Sequence, residues 1–318
     1  MTPTQSLTTE YTTVTEGCGL LDRSERGKLA LAGPDAKSFL QGQVTNDVEA
    51  LEGGSGCYAA FLTPKGKMLG DLRVLAAGEE LLLDTERSAL QALFNMIRRF
   101  SVGYDVQLHK RTLERGLLSL IGPSADAVLG VTGPPRAEHS HVRIELEGVE
   151  ARAMRTHVGI DLLCDAADTD AIAQALAHAG AANVSEAAAE IVRVELGRPR
   201  YGVDLDETVI PQEAGLNERA VSFTKGCYVG QETVARLYYR GKPNRRLRGL
   251  RSGEPMNQGD EVHLDGRPVG RLTSTATSPG FGHIGLALIR REAPPGSRVD
   301  VGDGGRQAEV VELPFTAG

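Results

Sequence analysis

Residues 27–32, Gly-Lys-Leu-Ala-Leu-Ala, alternate like a half-buried strand, and Gly33-Pro34-Asp35 then supplies a turn before a helix expected from Ala36 to about Val44. The same order of signals returns further on. Leu118-Ser-Leu-Ile-Gly122-Pro123-Ser-Ala125 repeats Leu29-Ala-Leu-Ala-Gly33-Pro34-Asp-Ala36 at an offset of 89 residues. After each copy come hairpin-like segments, then a strand ending in Leu82-Leu83-Asp84 or Leu162-Leu163-Cys164-Asp165. Each copy closes on an amphipathic helix, Arg87–Arg98 or Asp170–Ala179. Two similar α+β units in tandem are the reading of this pattern.

A different pattern starts after Gly241. Helical signals stop, and six short alternating runs follow: Arg246–Arg251, Glu261–Leu264, Val269–Ala276, Gly282–Ile289, Arg298–Val301 and Gln307–Leu313. Turn signals such as Asp265-Gly266 and Ser278-Pro279-Gly280 separate them, so a small antiparallel β-barrel or sandwich is expected at 241–318. The Thr-rich residues 1–13 are expected to be a disordered tail, leaving 14–240 for the two related units.

Composition narrows the chemistry. The chain of 318 residues carries 35 Lys+Arg against 42 Asp+Glu, a formal net charge of −7. That balance disfavours direct nucleic-acid binding through overall charge, though not a local basic patch. No apolar run approaches the roughly 20 residues that span a bilayer, and the start has no signal-like segment, so a soluble cytoplasmic protein with no membrane partner is expected. Cys18, Cys57, Cys164 and Cys227 are scattered, with no C-x-x-C pair, so neither a metal site nor a disulfide framework is expected. Dinucleotide, P-loop, nucleophile-elbow and H-E-x-x-H motifs are all missing.

The densest segment is Val221–Arg240. Gly226 and Gly230 bracket Cys227, and Lys225 lies two residues before it. A cationic neighbour and the start of the helix QETVARLYY would both favour a thiolate. From Arg236 to Arg251 there are seven cations and no acid, suited to an anionic ligand, to RNA, or to a solvated strand edge. Phe223, Tyr228, Tyr238 and Tyr239 crowd the same region, and core packing is the expected use for most of them.

Lys225-Gly226-Cys227-Tyr228-Val229-Gly230-Gln231-Glu232 resembles the K-G-C-[FY]-x-G-Q-E signature of the YgfZ family, folate-binding relatives of the glycine-cleavage T protein, an aminomethyltransferase. Phe39–Val48 (FLQGQVTNDV) and Arg193–Asp204 (RVELGRPRYGVD) are similar to two further family segments. The resemblance implies three domains in a ring around a central channel that holds tetrahydrofolate. It implies partners as well: a reduced folate, and iron–sulfur client enzymes, tRNA-modifying enzymes among them.

Site residues follow from that resemblance. Glu195 matches the pterin-binding Glu of the T protein's R-x-E-x-G segment, and a carboxylate can accept the paired N–H edge of a pterin. Tyr201, Tyr228, Gln231, Glu232 and Arg240 are further expected folate contacts. Asp71, on a strand expected over Lys67–Ala76, resembles the T protein's catalytic Asp in position. Cys227 is expected to do redox or sulfur chemistry, with Lys225 lowering its pKa. Two functions result: folate-dependent support of iron–sulfur cluster assembly or repair, and, as the alternative, aminomethyl transfer to tetrahydrofolate.

Overall fold

The repeated signal folds the same way twice. Strands Gly27–Ala32 and Arg115–Ile121 each run into a glycine of left-handed backbone, Gly33 at φ +107° and Gly122 at φ +127°, then into helices Ala36–Gln41 and Ala125–Leu129. A Cβ at either glycine would fall 2.4 Å from a main-chain oxygen, that of Asp105 or of Gly17, so both turns need glycine. The first helix stops at Gln41 rather than Val44, because Val44 forms an antiparallel bridge to Phe61.

The strand partners correspond too, with an exchange. Gly27–Ala32 lies between Glu80–Thr85 and Gln107–Lys110, while Arg115–Ile121 lies between Gly159–Asp165 and Gly19–Asp22. Gln107–Lys110 precedes the second copy along the chain yet pairs with the first, and Gly19–Asp22 precedes the first yet pairs with the second. Even the registers match, Ala32 facing Gln107 and Ile121 facing Gly19. A five-stranded sheet results, ordered Gly56–Leu62, Met68–Ala76, Glu80–Thr85, Gly27–Ala32, Gln107–Lys110. The six-stranded sheet runs Ala182–Asn183, Gly19–Asp22, Arg115–Ile121, Gly159–Asp165, Val149–Arg155, His141–Leu146.

The closing helices are Leu90–Phe100 and Thr169–His178, the former starting later than expected. Leu20, Leu118, Leu120, Ile160, Leu162, Ile172 and Leu176 fill the core between the six-stranded sheet and its helices.

In this computed structural model residues 3–316 are described. Pro3–Glu16 is a helix, which corrects the expectation of a disordered tail through residue 13; residues 1 and 2 lie outside the described residues. Tertiary anchors explain the order: Val14 is buried, and the Glu10 carboxylate accepts the Ser185 amide at 2.8 Å.

The C-terminal strands close a six-stranded antiparallel barrel, ordered Arg245–Ser252, Gly282–Arg290, Arg267–Ser278, Glu261–Leu264, Arg298–Val301, Arg306–Val311, the last pairing back with the first. Inward positions Leu250, Val262, Leu272, Ala287, Ile289, Val301 and Val310 fill it. Along the chain two compact units interleave. Residues to 62, 69–189 and 219–229 make the first; 63–68, 190–218 and 230 onward, the barrel included, make the second. The division differs from the expected 14–240 and 241–318, since the barrel gathers segments remote in sequence.

Candidate functional site

In the second unit, Glu195 ends the helix Glu186–Glu195. Val194 beside it packs with Leu247, Ile284, Leu286 and Phe315, which fixes the helix end against the barrel. Glu195 is 8% exposed, and the Ser278 hydroxyl donates to its Oε1. The Glu195 main-chain oxygen accepts the Phe315 amide at 2.8 Å. A buried carboxylate at the negative end of a helix is costly unless donors reach it, and the Ser278 hydroxyl is one such donor.

The rest of the R-x-E-x-G segment builds this frame. Arg193 donates to Glu190, to Asp204 at 2.7 Å and to Ser274 at 2.6 Å, while Asp204 accepts Thr273 and Ser274 at 2.6 and 2.7 Å. Tyr201 is buried and bridges Leu205 in the same segment.

In the first unit, Asp71 sits on Met68–Ala76 and is 6% exposed. Tyr58 Oη donates to Asp71 Oδ2 at 2.6 Å. Burial pushes the Asp71 carboxyl up to about 6, with the Tyr58 bond working in the opposite direction. Arg73 does not pair with it: Arg73 binds Asp84 and Asp161, each at 2.6 Å. Over the Tyr58 ring lies the Arg219 guanidinium, 5.0 Å from the centroid, and the His139 ring stacks with it at 6.4 Å. Asn46 Nδ2 ties the strand of Tyr58 to the short helix Asn217–Ala220 by donating to Tyr58 O at 2.8 Å and Arg219 O at 3.2 Å. A carboxyl titrating near neutrality beside a phenol suits proton handling.

The signature segment divides its roles. Lys225 is buried, and its Nζ donates to the carbonyls of Gln41, Val44 and Asn46 at 2.6, 2.8 and 2.8 Å. Burial lowers its pKa to about 8. The thiol that feels its charge is half-buried Cys57, itself pushed up to about 12 by burial. Cys227 is exposed, whereas Cys18 and Cys164 are buried. Tyr228 is buried with the Lys225 ammonium 5.2 Å from its ring centroid, and the Val229 amide donates to Gly42 O at 3.2 Å. Gly230, left-handed at φ +85°, opens the helix Gln231–Arg240. Gln231 is half-buried at its start, with Glu232 and Arg240 exposed. Tyr238 and Tyr239 are exposed, against the expectation of core packing, since they lie in the last turn of the helix, beyond buried Val234.

Sequence reasoning missed Tyr58, Arg219 and Ser278, which carry no local motif; their relevance comes from chain crossings. Asn46 was within reach, since it lies inside the Phe39–Val48 segment.

Two family models match the chain: the GCVT N-terminal domain over residues 3–225 and the glycine cleavage T-protein C-terminal barrel domain over residues 245–316. An aminomethyltransferase of Rubrobacter xylanophilus is 30% identical over 316 residues, covering 96% of this chain and 85% of its own length. One from Geobacillus kaustophilus is 31% identical, covering 98% and 90%. A putative chloroplastic transferase of Arabidopsis thaliana is 29% identical, covering 95% and 72%. The crystal structure of glycine cleavage system aminomethyltransferase T from Bartonella henselae superposes with a TM-score of 0.88 at 24% identity, over 98% of this chain and 89% of that one, a likeness of fold.

Proposed function

We propose that this chain, which belongs to the glycine cleavage T-protein family, binds a reduced folate and uses it to support iron–sulfur cluster assembly or repair in client enzymes, tRNA-modifying enzymes among them. The observation that carries the folate reading is Glu195, a buried residue, 8% exposed, at a helix end, whose carboxylate accepts the Ser278 hydroxyl. That group fits the donor edge of a pterin, which offers two N–H bonds in one plane. Tetrahydrofolate, when bound, supplies nitrogens that accept a one-carbon unit. Tyr201, in the frame built around Arg193 and Asp204, stiffens the segment carrying Glu195.

The client side of the reading rests on the K-G-C-Y-V-G-Q-E segment and on the exposure of Cys227. An exposed thiol is open to exchange with a partner's sulfur. Lys225 holds the segment's base, Gln231 and Glu232 begin the helix after it, and Arg240 and buried Tyr228 complete the set proposed to serve the ligand.

A second reading, aminomethyl transfer to tetrahydrofolate, is favoured by the Asp71–Tyr58 pair and by relatives named aminomethyltransferase. Here Tyr58 holds Asp71 through Oδ2, and Asp71 handles a proton at its other oxygen.

Titration of the purified chain with tetrahydrofolate tests the folate reading. Glu195→Ala is expected to weaken binding by about tenfold or more, the loss of a charge-assisted pair; unchanged affinity would remove Glu195 from the site, and no binding by the wild type would end the reading. Turnover with an aminomethylated lipoyl carrier then selects the transferase reading, and its absence selects the first.

A further inference from the structure

The helix Gln231–Arg240 buries Val234 and leaves its last residues in solvent. Tyr238 is 50% exposed and Tyr239 67%, and their rings meet edge to face, centroids 5.0 Å apart at 83°. Arg236, Arg240, Lys242 and Arg246 are all exposed, and no acid occurs between Arg236 and Arg251. The remaining cations of the stretch are engaged: Arg245 with Glu213, Arg248 with Glu312, and Arg251 with the Thr316 carbonyl. The helix itself contains one acid, Glu232, a turn before Arg236. Arg236 and Arg240 share a face about 6 Å apart along the axis.

We propose that this exposed helix end binds a single-stranded polynucleotide, its phosphates on Arg236, Arg240, Lys242 and Arg246 and an unpaired base against the exposed Tyr238–Tyr239 pair. Both halves of the surface are then used, since aromatic faces stack on any base while cations follow the backbone. An acidic peptide would use the cations and leave the tyrosines idle. An anionic lipid surface needs an apolar face outward, and here Val234 is buried and Leu237 half-buried. The net charge of −7 opposes long-range attraction, so the site takes a short strand, bound locally and sensitive to salt. The proposal does not depend on the folate reading, although Arg240 is named in both.

Fluorescence anisotropy with a labelled mixed-sequence 12-nucleotide single strand and the full chain tests it, RNA and DNA strands being run side by side to say which sugar is preferred. Binding is expected to weaken with salt at a log–log slope of about −2 to −3, as for three or four phosphates neutralised. Tyr238→Ala with Tyr239→Ala should cost about tenfold, while the paired Phe substitutions should keep the affinity, because stacking needs the ring and not the hydroxyl. Arg236→Glu with Lys242→Glu should abolish binding at moderate salt. Absence of binding at low salt overturns the proposal, and so does equal affinity for the Ala and Phe variants. Equal affinity for a duplex, for anionic vesicles or for poly-glutamate overturns it as well, since each would mean charge alone is read.

Discussion

Lys225 directs its ammonium at three carbonyls of the Gln41–Asn46 turn, and through Asn46 that turn reaches the main chain of both Tyr58 and Arg219. In sequence Lys225 reads as an activator of Cys227, two residues away. Folded, it is a clip that orders the surroundings of Asp71. Lys225→Met would leave three buried carbonyls short of a donor, at an expected cost of about 3 kcal/mol or more read from urea unfolding, with Lys225→Arg costing less. A loss below about 1 kcal/mol would mean water replaces the ammonium. The spacing in K-G-C made the segment conspicuous, while the direction of the lysine depends on a turn more than 170 residues earlier.

Elements were the most legible scale. The strand Gly27–Ala32 and six barrel strands follow from alternation and turn chemistry, because a sheet with one face in the core imposes period two on its residues. Tandem repetition was visible in Gly33-Pro34 and Gly122-Pro123, and the glycines prove to be geometric necessities. Gly33→Ala and Gly122→Ala should each lower stability by about 2 kcal/mol or more, seen as a fall in Tm of several degrees, since each adds a Cβ against a carbonyl oxygen at positive φ. A change in only one of them would break the equivalence of the repeats. The exchange of Gly19–Asp22 and Gln107–Lys110 between sheets was not legible, as a four-residue strand is too short for its pattern to select one neighbour before packing does.

At the scale of the folded chain, buried charge sets the response to pH. Burial pushes Asp84 and Asp161 up, but Arg26 and Arg73 at Asp84, and Arg73 and Arg23 at Asp161, outweigh it and hold both carboxyls below their ordinary value of 3.8. Their stabilisation is present above that value and is lost as pH falls through the lower folded values. Asp71 has the opposite sign: raised by burial to about 6, it keeps a proton that the unfolded chain has released, so its contribution falls as pH rises from 3.8 to 6. Urea unfolding across pH 3–7 should therefore show wild-type stability declining over that window relative to Asp71→Asn, by about 2–3 kcal/mol in total, with both losing stability below it. Parallel curves for the two proteins would show that Asp71 is not perturbed.

The chain by itself determined its strands, its repeat, its barrel and the segments worth suspecting, because those depend on local periodicity, on turn residues and on short spacings. It could not say that Asp71 pairs with Tyr58 and not with Arg73, that Lys225 serves carbonyls in place of a thiol, or that Tyr238 and Tyr239 face solvent. Those outcomes depend on which distant groups are buried together. Burial alters the energy of a charge or an unpaired donor by more than any local preference can, and it exists only once the chain has folded.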